Sequence, residues 1–203
     1  MPSIIMPKKD LVLASGSESR KIMLTEAGLD FSVKPSSVDE SVIKEEMEGQ
    51  PFDQQVIALA CAKAKEVSQN FPEAIVIGGD QMCIYNNEVF DKPGTREKAI
   101  SNLLKLSGTS HFQYSGICLY KSGQSLWEHC EYAEMVMHEL KQSEIENYVD
   151  IENPINAAGA YKFESLGCNL FKSVIGSSYT VRGMPLLPLL NKLRELGIID
   201  LNK

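Results

Sequence analysis

The chain has 203 residues, 43% of them hydrophobic and 23% charged, the composition of an ordinary soluble globular protein with enough length for a substantial core. A formal net charge of -7 argues against a broad polyanion-binding surface, because nucleic-acid binding relies on a basic patch to neutralise phosphates. A small anion held in a local basic cleft stays open.

Leu11 to Ala14 reads as a first strand, Ser15 to Ser19 as a turn, and Arg20 to Ala27 as a short helix stopped by Gly28, a residue suited to the left-handed position past a helix end. An irregular segment through Val38, Asp39 and Glu40 leads to a helix from about Pro51 to Val67, with Phe52, Val56, Leu59, Ala60 and Val67 on one stripe. Lys63 falls on that stripe, where a lysine either snorkels its amine to the surface or aims it into a cleft. Ala74 to Ile77 reads as a strand covered on both faces, running into Gly78-Gly79 and Asp80; the glycine pair lets the backbone turn tightly or approach a ligand closely. Met82 to Tyr85 and Glu88 to Phe90 flank Asn86-Asn87, a pair suited to a two-residue hairpin turn, and Lys92 follows.

Thr95 caps a helix ending near Leu106, with Gly108 just beyond it. Strands at about His111 to Tyr120 and Leu126 to Met137 are separated by the turn KSGQ, and a helix begins at Ser143 with Glu146 completing a capping box. Lys162 and Glu164, two apart in a stretch rich in small residues, face one side if that stretch is extended. The last helix starts at Pro185 and stops at Gly197. Strands and helices alternate without repeat or linker, which predicts one α/β domain with a mixed sheet over residues 1–203.

Five cysteines lie far apart with no CxxC pair, and an odd count is a poor disulfide framework; buried thiols in a reducing compartment are expected. His111, His129 and His138 lack metal-ligand spacing, which argues against a dedicated zinc site. Before the first strand there is only the short apolar cluster Ile4 to Met6, and no apolar run is long enough to cross a bilayer, so the expected location is cytoplasmic.

Ser15, Gly16, Ser17 and Ser19 lie between the first strand and first helix, where backbone N–H groups and the helix dipole favour a bound phosphate, and Arg20 adds a charged fork. The loop lacks the GK[ST] ending of a Walker A motif, and Ser-rich turns of this kind often only cap a helix. Asp80 sits where strands of an α/β sheet present their chemistry, although an isolated GGD makes a surface turn as readily. Their weight comes from the set: the cations Arg20, Lys63, Lys92 and Lys162 with the carboxylates Glu40, Asp80 and Glu164, all beside Gly-rich or loop segments. Hydrolysis of a metal-bound polyphosphate requires such a mixture. A carboxylate beside lysines is a weak base by itself, so the reading calls for a divalent metal to acidify the attacking water.

LVLASGSESR, VDE, LACAKA, GGDQ, DKP, AAGAYK and the late GMPL resemble, in the same order and over nearly the whole chain, the successive motifs of the Maf family of nucleoside triphosphate pyrophosphatases. The resemblance implies an elongated α/β fold similar to that of inosine triphosphate pyrophosphatases, a mixed sheet with flanking helices and two lobes around a cleft. It implies hydrolysis of a nucleoside triphosphate to the monophosphate and pyrophosphate in a house-cleaning role, a divalent cation (Mg²⁺ or Mn²⁺), and a homodimer. By motif, Asp80 is the proton acceptor, Glu40 a metal-binding or water-positioning carboxylate, and Arg20, Lys63 and Lys92 phosphate binders, with Ser15, Ser17, Ser19 and Lys162 in the substrate-binding set.

Family members acting on thymidine or uridine triphosphates tend to carry threonine after the catalytic Asp and glutamine in the later Gly-rich motif. Here those positions hold Gln81 and Glu164, and YKFESLG with the following NLF resembles the subfamily that hydrolyses 7-methyl-GTP. A carboxylate at Glu164 accepts hydrogen bonds from guanine N1 and N2 and favours the positive charge of a methylated ring. The chain departs from that subfamily at Ser19, where a tryptophan can stand to stack on the base, and at Glu18, which brings a negative charge to the phosphate loop. Two rival readings remain at this level. A non-catalytic nucleotide-binding regulator of cell division, a septum-formation inhibitor, would need the cations but not Asp80 and Glu40. A phosphatase of another α/β class would release orthophosphate, but no paired DxD follows any predicted strand.

Overall fold

A computed structural model of the chain describes residues 5–200. Strand β1 (Leu11–Leu13) is followed by α1 (Glu18–Glu26), β2 (Ser32–Val33), α2 (Glu40–Glu46), α3 (Phe52–Asn70) and the long β3 (Ile75–Tyr85). Then come β4 (Glu88–Val89), α4 (Arg96–Leu106), β5 (Ser110–Lys121), β6 (Gln124–Met137) and α5 (Gln142–Glu152), and after two 3₁₀ turns β7 (Phe171–Ile175), α6 (Ser178–Val181) and α7 (Leu186–Glu195). The strands form one mixed sheet in the order β2-β1-β3-β5-β6-β7, with β4 paired to β3. β1 is parallel to both neighbours, whereas β4 and β7 pair antiparallel. The expected α/β class with a mixed sheet and flanking helices is therefore what the chain forms. Among the described residues no helix is long and apolar enough to cross a membrane.

Several local signals act as the sequence indicates. Asn86 and Asn87 both take positive φ in the β3–β4 hairpin, Ser122 and Gly123 do so between β5 and β6, and Gly28, Gly108 and Gly197 follow the ends of their helices with positive φ. Thr95 caps α4 by accepting from the Lys98 N–H at 3.2 Å. Four expectations need correction. Gly78-Gly79 do not turn: β3 runs straight through them from Ile75 to Tyr85. Glu40 is not in an irregular segment but opens α2, because Asp39 accepts from the Ser41 N–H at 3.0 Å and is an N-cap. The cap of α5 lies earlier than Ser143 and Glu146, with the Lys141 N–H donating to Glu144 at 2.7 Å. Lys162 is irregular and Glu164 lies in the turn over 163–165, following positive φ at Gly159 and Ala160, so the two are not in an extended run and the shared-face argument for that pair fails.

The Ile4 to Met6 cluster lies partly outside the described residues; Ile5 within it pairs with Leu29, its N–H donating to the Gly28 carbonyl at 2.9 Å. The five cysteines are all free, Cys83 and Cys118 buried as expected and Cys168 exposed.

The chain divides into two compact units: residues up to Asp80 with Ser115–Glu131 and those from Gly183 onward, and Gln81–Tyr114 with Tyr132–Arg182. In the first, β1 is apolar throughout because both of its faces are covered. Ala60, Ala64 and Val67 of α3 pack on Val12, Val76, Cys118 and Tyr120. Small residues set this approach, since a Cβ on Gly116 would lie 2.8 Å from the Val56 carbonyl oxygen.

In the second unit α4 and α5 supply Leu103, Leu106, Ile145 and Val149 to a core with Met135 and Phe171. That core contains a polar cluster. The Tyr161 hydroxyl accepts from the Gln113 amide at 2.7 Å and lies 2.8 Å from His111 Nε2, and all three side chains are buried. Burial lowers the His111 pKa from 6.5 to about 4, so the ring is neutral at pH 7. The unfolded chain protonates this ring near pH 6.5 and the folded chain only near pH 4. The stability it permits is therefore complete above the first value and falls as pH drops toward the second, by up to roughly 3 kcal/mol. Urea midpoints at pH 7 and 4.5 should fall steeply in the wild type and less steeply in His111→Asn; equal slopes would contradict this assignment.

Candidate active site

Four of the expected site residues come together in the first unit. α3 carries Lys63, β3 carries Asp80, α1 carries Arg20, and the first turn of α2 carries Glu40. The Lys63 ammonium lies 2.8 Å from Glu40 Oε1 and 3.1 Å from Asp80 Oδ1, and the Lys63 and Asp80 side chains are only 12% and 14% exposed. The lysine on the apolar stripe therefore does not snorkel to water; it turns into a pair of carboxylates. The Lys63–Asp80 pair is poorly solvated and interacts more strongly than it would in water, whereas the Glu40 side chain, 45% exposed, is screened by solvent.

The glycines before Asp80 explain how this is built. A Cβ on Gly78 would overlap the Ala60 carbonyl oxygen of α3 and come within 2.7 Å of Ala64 Cβ and 2.8 Å of Cys118 Sγ. Only glycine lets α3 lie so close to β3, and that closeness brings Lys63 to Asp80, which shares the Gly78 face two residues on. A Cβ on Gly79 would lie 3.1 Å from Arg20 Nε, so the second glycine leaves room for the guanidinium. The glycine pair thus serves close approach of protein parts, not a turn.

Arg20 is buried, its Nε donating to the Gly183 carbonyl at 2.7 Å and one Nη donating to Ser15 Oγ at 2.9 Å. Burial pulls its pKa below the ordinary value, while the charges of Asp80 and Glu40 pull it back up. The hydrogen bonds to Gly183 and Ser15 are what orient the fork. Ser15 Oγ also accepts weakly from the Ser17 N–H at 3.3 Å, and Ser17 caps α1 at 3.5 Å from the Arg20 N–H. Both serine side chains therefore organise the loop and aim Arg20. Ser19 is half-buried in the first turn of α1. Glu18 is exposed and paired with Lys21 at 3.4 Å, so its negative charge is answered at the surface. The Gly183 carbonyl, which sequence reasoning missed as a partner of Arg20, belongs to the GMPL motif.

The remaining expected residues belong to the second unit. Gln81 donates to the Val181 carbonyl at 2.7 Å and lies 3.4 Å from that of Thr180, so its amide nitrogen ties β3 to the end of α6. Lys92 is exposed after the β3–β4 hairpin. Lys162 Nζ donates to the Glu152 carbonyl at 2.7 Å and lies 3.6 Å from its carboxylate, a cation at the C-terminal end of α5 where the helix dipole favours it. Glu164 is exposed in the adjoining turn.

Glu40 and Asp80 direct two carboxylates at one point, the hard oxygen donors that Mg²⁺ or Mn²⁺ takes, and Mg²⁺ sites typically use one or two carboxylates plus water and substrate phosphate. Among the described residues no group of three or more His, Cys, Asp or Glu side chains forms a complete protein cage. The donor set fits an ion brought to the site with a polyphosphate.

Residues 10–196 match the family model described as Maf-like protein. A protein of Legionella pneumophila named nucleoside triphosphate pyrophosphatase is 39% identical over 199 residues, covering 98% of this chain and 100% of that one. A Rhizobium etli protein named 7-methyl-GTP pyrophosphatase is 41% identical over 194 residues, covering 94% of this chain and 98% of that one. The crystal structure of a nucleoside-triphosphatase, a dITP/XTP pyrophosphatase, from Mycobacterium abscessus aligns over 93% of this chain and 96% of that one, at 12% identity and a TM-score of 0.45. With nearly its full length matched by the family model and by relatives well above 30% identity, the chain belongs to the Maf family.

Proposed function

We propose that this chain is a nucleoside triphosphate pyrophosphatase, in which water attacks the α-phosphorus, the bond to the oxygen bridging the β-phosphorus breaks, and pyrophosphate leaves with the monophosphate as the other product. The observation that carries the reading is the Lys63 ammonium held between Asp80 and Glu40, with the buried Arg20 guanidinium beside them. Asp80 accepts the proton of the attacking water. Arg20 and Lys63 offset the negative charge that develops on the transferred group and leaving pyrophosphate, and the motif resemblance adds Lys92 as a third phosphate-binding cation. When bound through Glu40 and Asp80, Mg²⁺ or Mn²⁺ would acidify the attacking water and neutralise phosphate charge. The names carried by full-length relatives support the reaction class.

For the base, the proposal is a guanine nucleotide with 7-methyl-GTP foremost. Glu164, exposed and acceptor-only, would take the N1 and N2 donors of guanine, and relatives of comparable identity bear that substrate in their names. Ser19 offers no ring for stacking, so recognition would lean on the carboxylate. Cytoplasmic residence, which the five free thiols support, and homodimer formation complete the proposal. Purified protein with Mg²⁺ or Mn²⁺ should be offered the common triphosphates and 7-methyl-GTP, with chelator in parallel. The expected result is metal-dependent turnover highest with 7-methyl-GTP and reduced for that substrate in Glu164→Gln. Equal turnover of every base, unaffected by Glu164→Gln, would overturn the base assignment.

A further inference from the structure

Glu40 sits on a helix that fixes its own place poorly. α2 has seven residues and buries none of them, and Val42 is 50% exposed. Apolar packing therefore does little to decide where the Glu40 carboxylate points. The loop before α2 is instead held by polar contacts to α3. Glu66 accepts from the Ser37 hydroxyl at 2.7 Å through one oxygen and from the Ser37 N–H at 3.1 Å through the other. A hydrogen bond from the Ser36 side chain, and after it those from Ser37, hold the Glu66 carboxyl below its ordinary pKa, so it is ionised at neutral pH. Ser36 Oγ also accepts from the Val38 N–H at 3.1 Å, and Asp39 caps α2.

On α3, Lys63 and Glu66 are three residues apart and so neighbours on one side of the helix. The segment from Ser36 to Glu40 is thus fastened to α3 at both ends, at its start by Glu66 and at its end by Lys63. Charge-assisted bonds of this kind are about twice as strong as neutral ones. We infer that Glu66 is a positioning residue for the reaction: it clamps Ser36 and Ser37 to α3 and so delivers the Glu40 carboxylate to Lys63 and the reacting phosphate. The inference rests on the pyrophosphatase reading above.

Pyrophosphate release is measured for wild type, Glu66→Ala, Glu66→Gln, Glu40→Gln and the double variant Glu40→Gln with Glu66→Ala, alongside amide exchange of Ser37. Misplacing a reacting group by about 1 Å can cost 10²-fold, so Glu66→Ala should lose on the order of tenfold or more in kcat with KM little changed. Glu66→Gln should retain more activity, because its amide oxygen still accepts from the Ser37 hydroxyl. In the Glu40→Gln background, Glu66→Ala should cost almost nothing further, since the carboxylate it positions is gone. A wild-type kcat in Glu66→Ala, or the same fractional loss in both backgrounds, would overturn the inference. If the wild type itself releases no pyrophosphate, the functional reading falls instead. The clamp is then judged by exchange alone: faster at Ser37 in Glu66→Ala if it exists, unchanged if it does not.

Discussion

Asp80→Asn should reduce kcat by on the order of 10²–10⁴, the usual contribution of a positioned general base, while leaving nucleotide affinity within a few-fold. The Asp80 side chain is 14% exposed and lies 3.1 Å from the Lys63 ammonium. Asparagine has the same shape and its amide oxygen can still accept from Lys63, so the fold and the packing of α3 on β3 should survive. Missing from the variant are the negative charge and the lone pair that takes a proton from water. Affinity for a non-hydrolysable triphosphate, measured by calorimetry, separates this from loss of folding. The regulator reading expects the same retained affinity but no turnover in the wild type either, because binding there needs the cations and not the base. A variant that turns over at the wild-type rate would remove Asp80 from the chemistry altogether.

Gly78→Ala should have the largest effect of any single methyl group added to this chain's active-site strand. Its Cβ would overlap the Ala60 carbonyl oxygen, a backbone atom within α3 that cannot rotate away, and would also press on Ala64 and Cys118. Overpacking of this kind costs about 1–3 kcal/mol, more where backbone must move. Relief requires α3 to retreat from β3, and α3 carries Lys63, so activity should fall together with stability. Gly16→Ala provides the contrast: its nearest neighbour would be a Pro35 side-chain atom at 3.9 Å, ordinary contact, and its unfolding midpoint should stay near that of the wild type. Urea unfolding of the two variants gives the comparison. An unchanged midpoint in Gly78→Ala would mean that the close approach of α3 to β3 is not what the glycine serves.

That glycine also shows where reading the sequence stops. Gly78-Gly79 permits a turn or a close approach equally well, because both use the absent Cβ, and only the position of α3 distinguishes them. By contrast, the apolar stripe of α3 and the misfit of Lys63 upon it are legible, since the helical period of 3.6 by itself puts Lys63 on the buried side. Asp39 is of a residue type suited to an N-cap, yet α2 has no apolar face to announce a helix after it. The extended reading of Lys162 and Glu164 fails for a different reason. Ala160 adopts positive φ with no residue-type signal for it, and the pairing of Lys162 with the end of α5 joins residues ten apart in sequence by a local fold. Motif order reveals the gathering of Arg20, Glu40, Lys63 and Asp80; the Glu66 clamp has no motif and emerges only from geometry.

Phosphorus NMR of a single triphosphate incubated with the protein and Mg²⁺ tests the central claim most directly. Growth of pyrophosphate and nucleoside monophosphate signals in equal amounts, with no diphosphate at any time, is the result this account predicts. Orthophosphate with the diphosphate as first products would place the cleavage at the next phosphoanhydride linkage and contradict it.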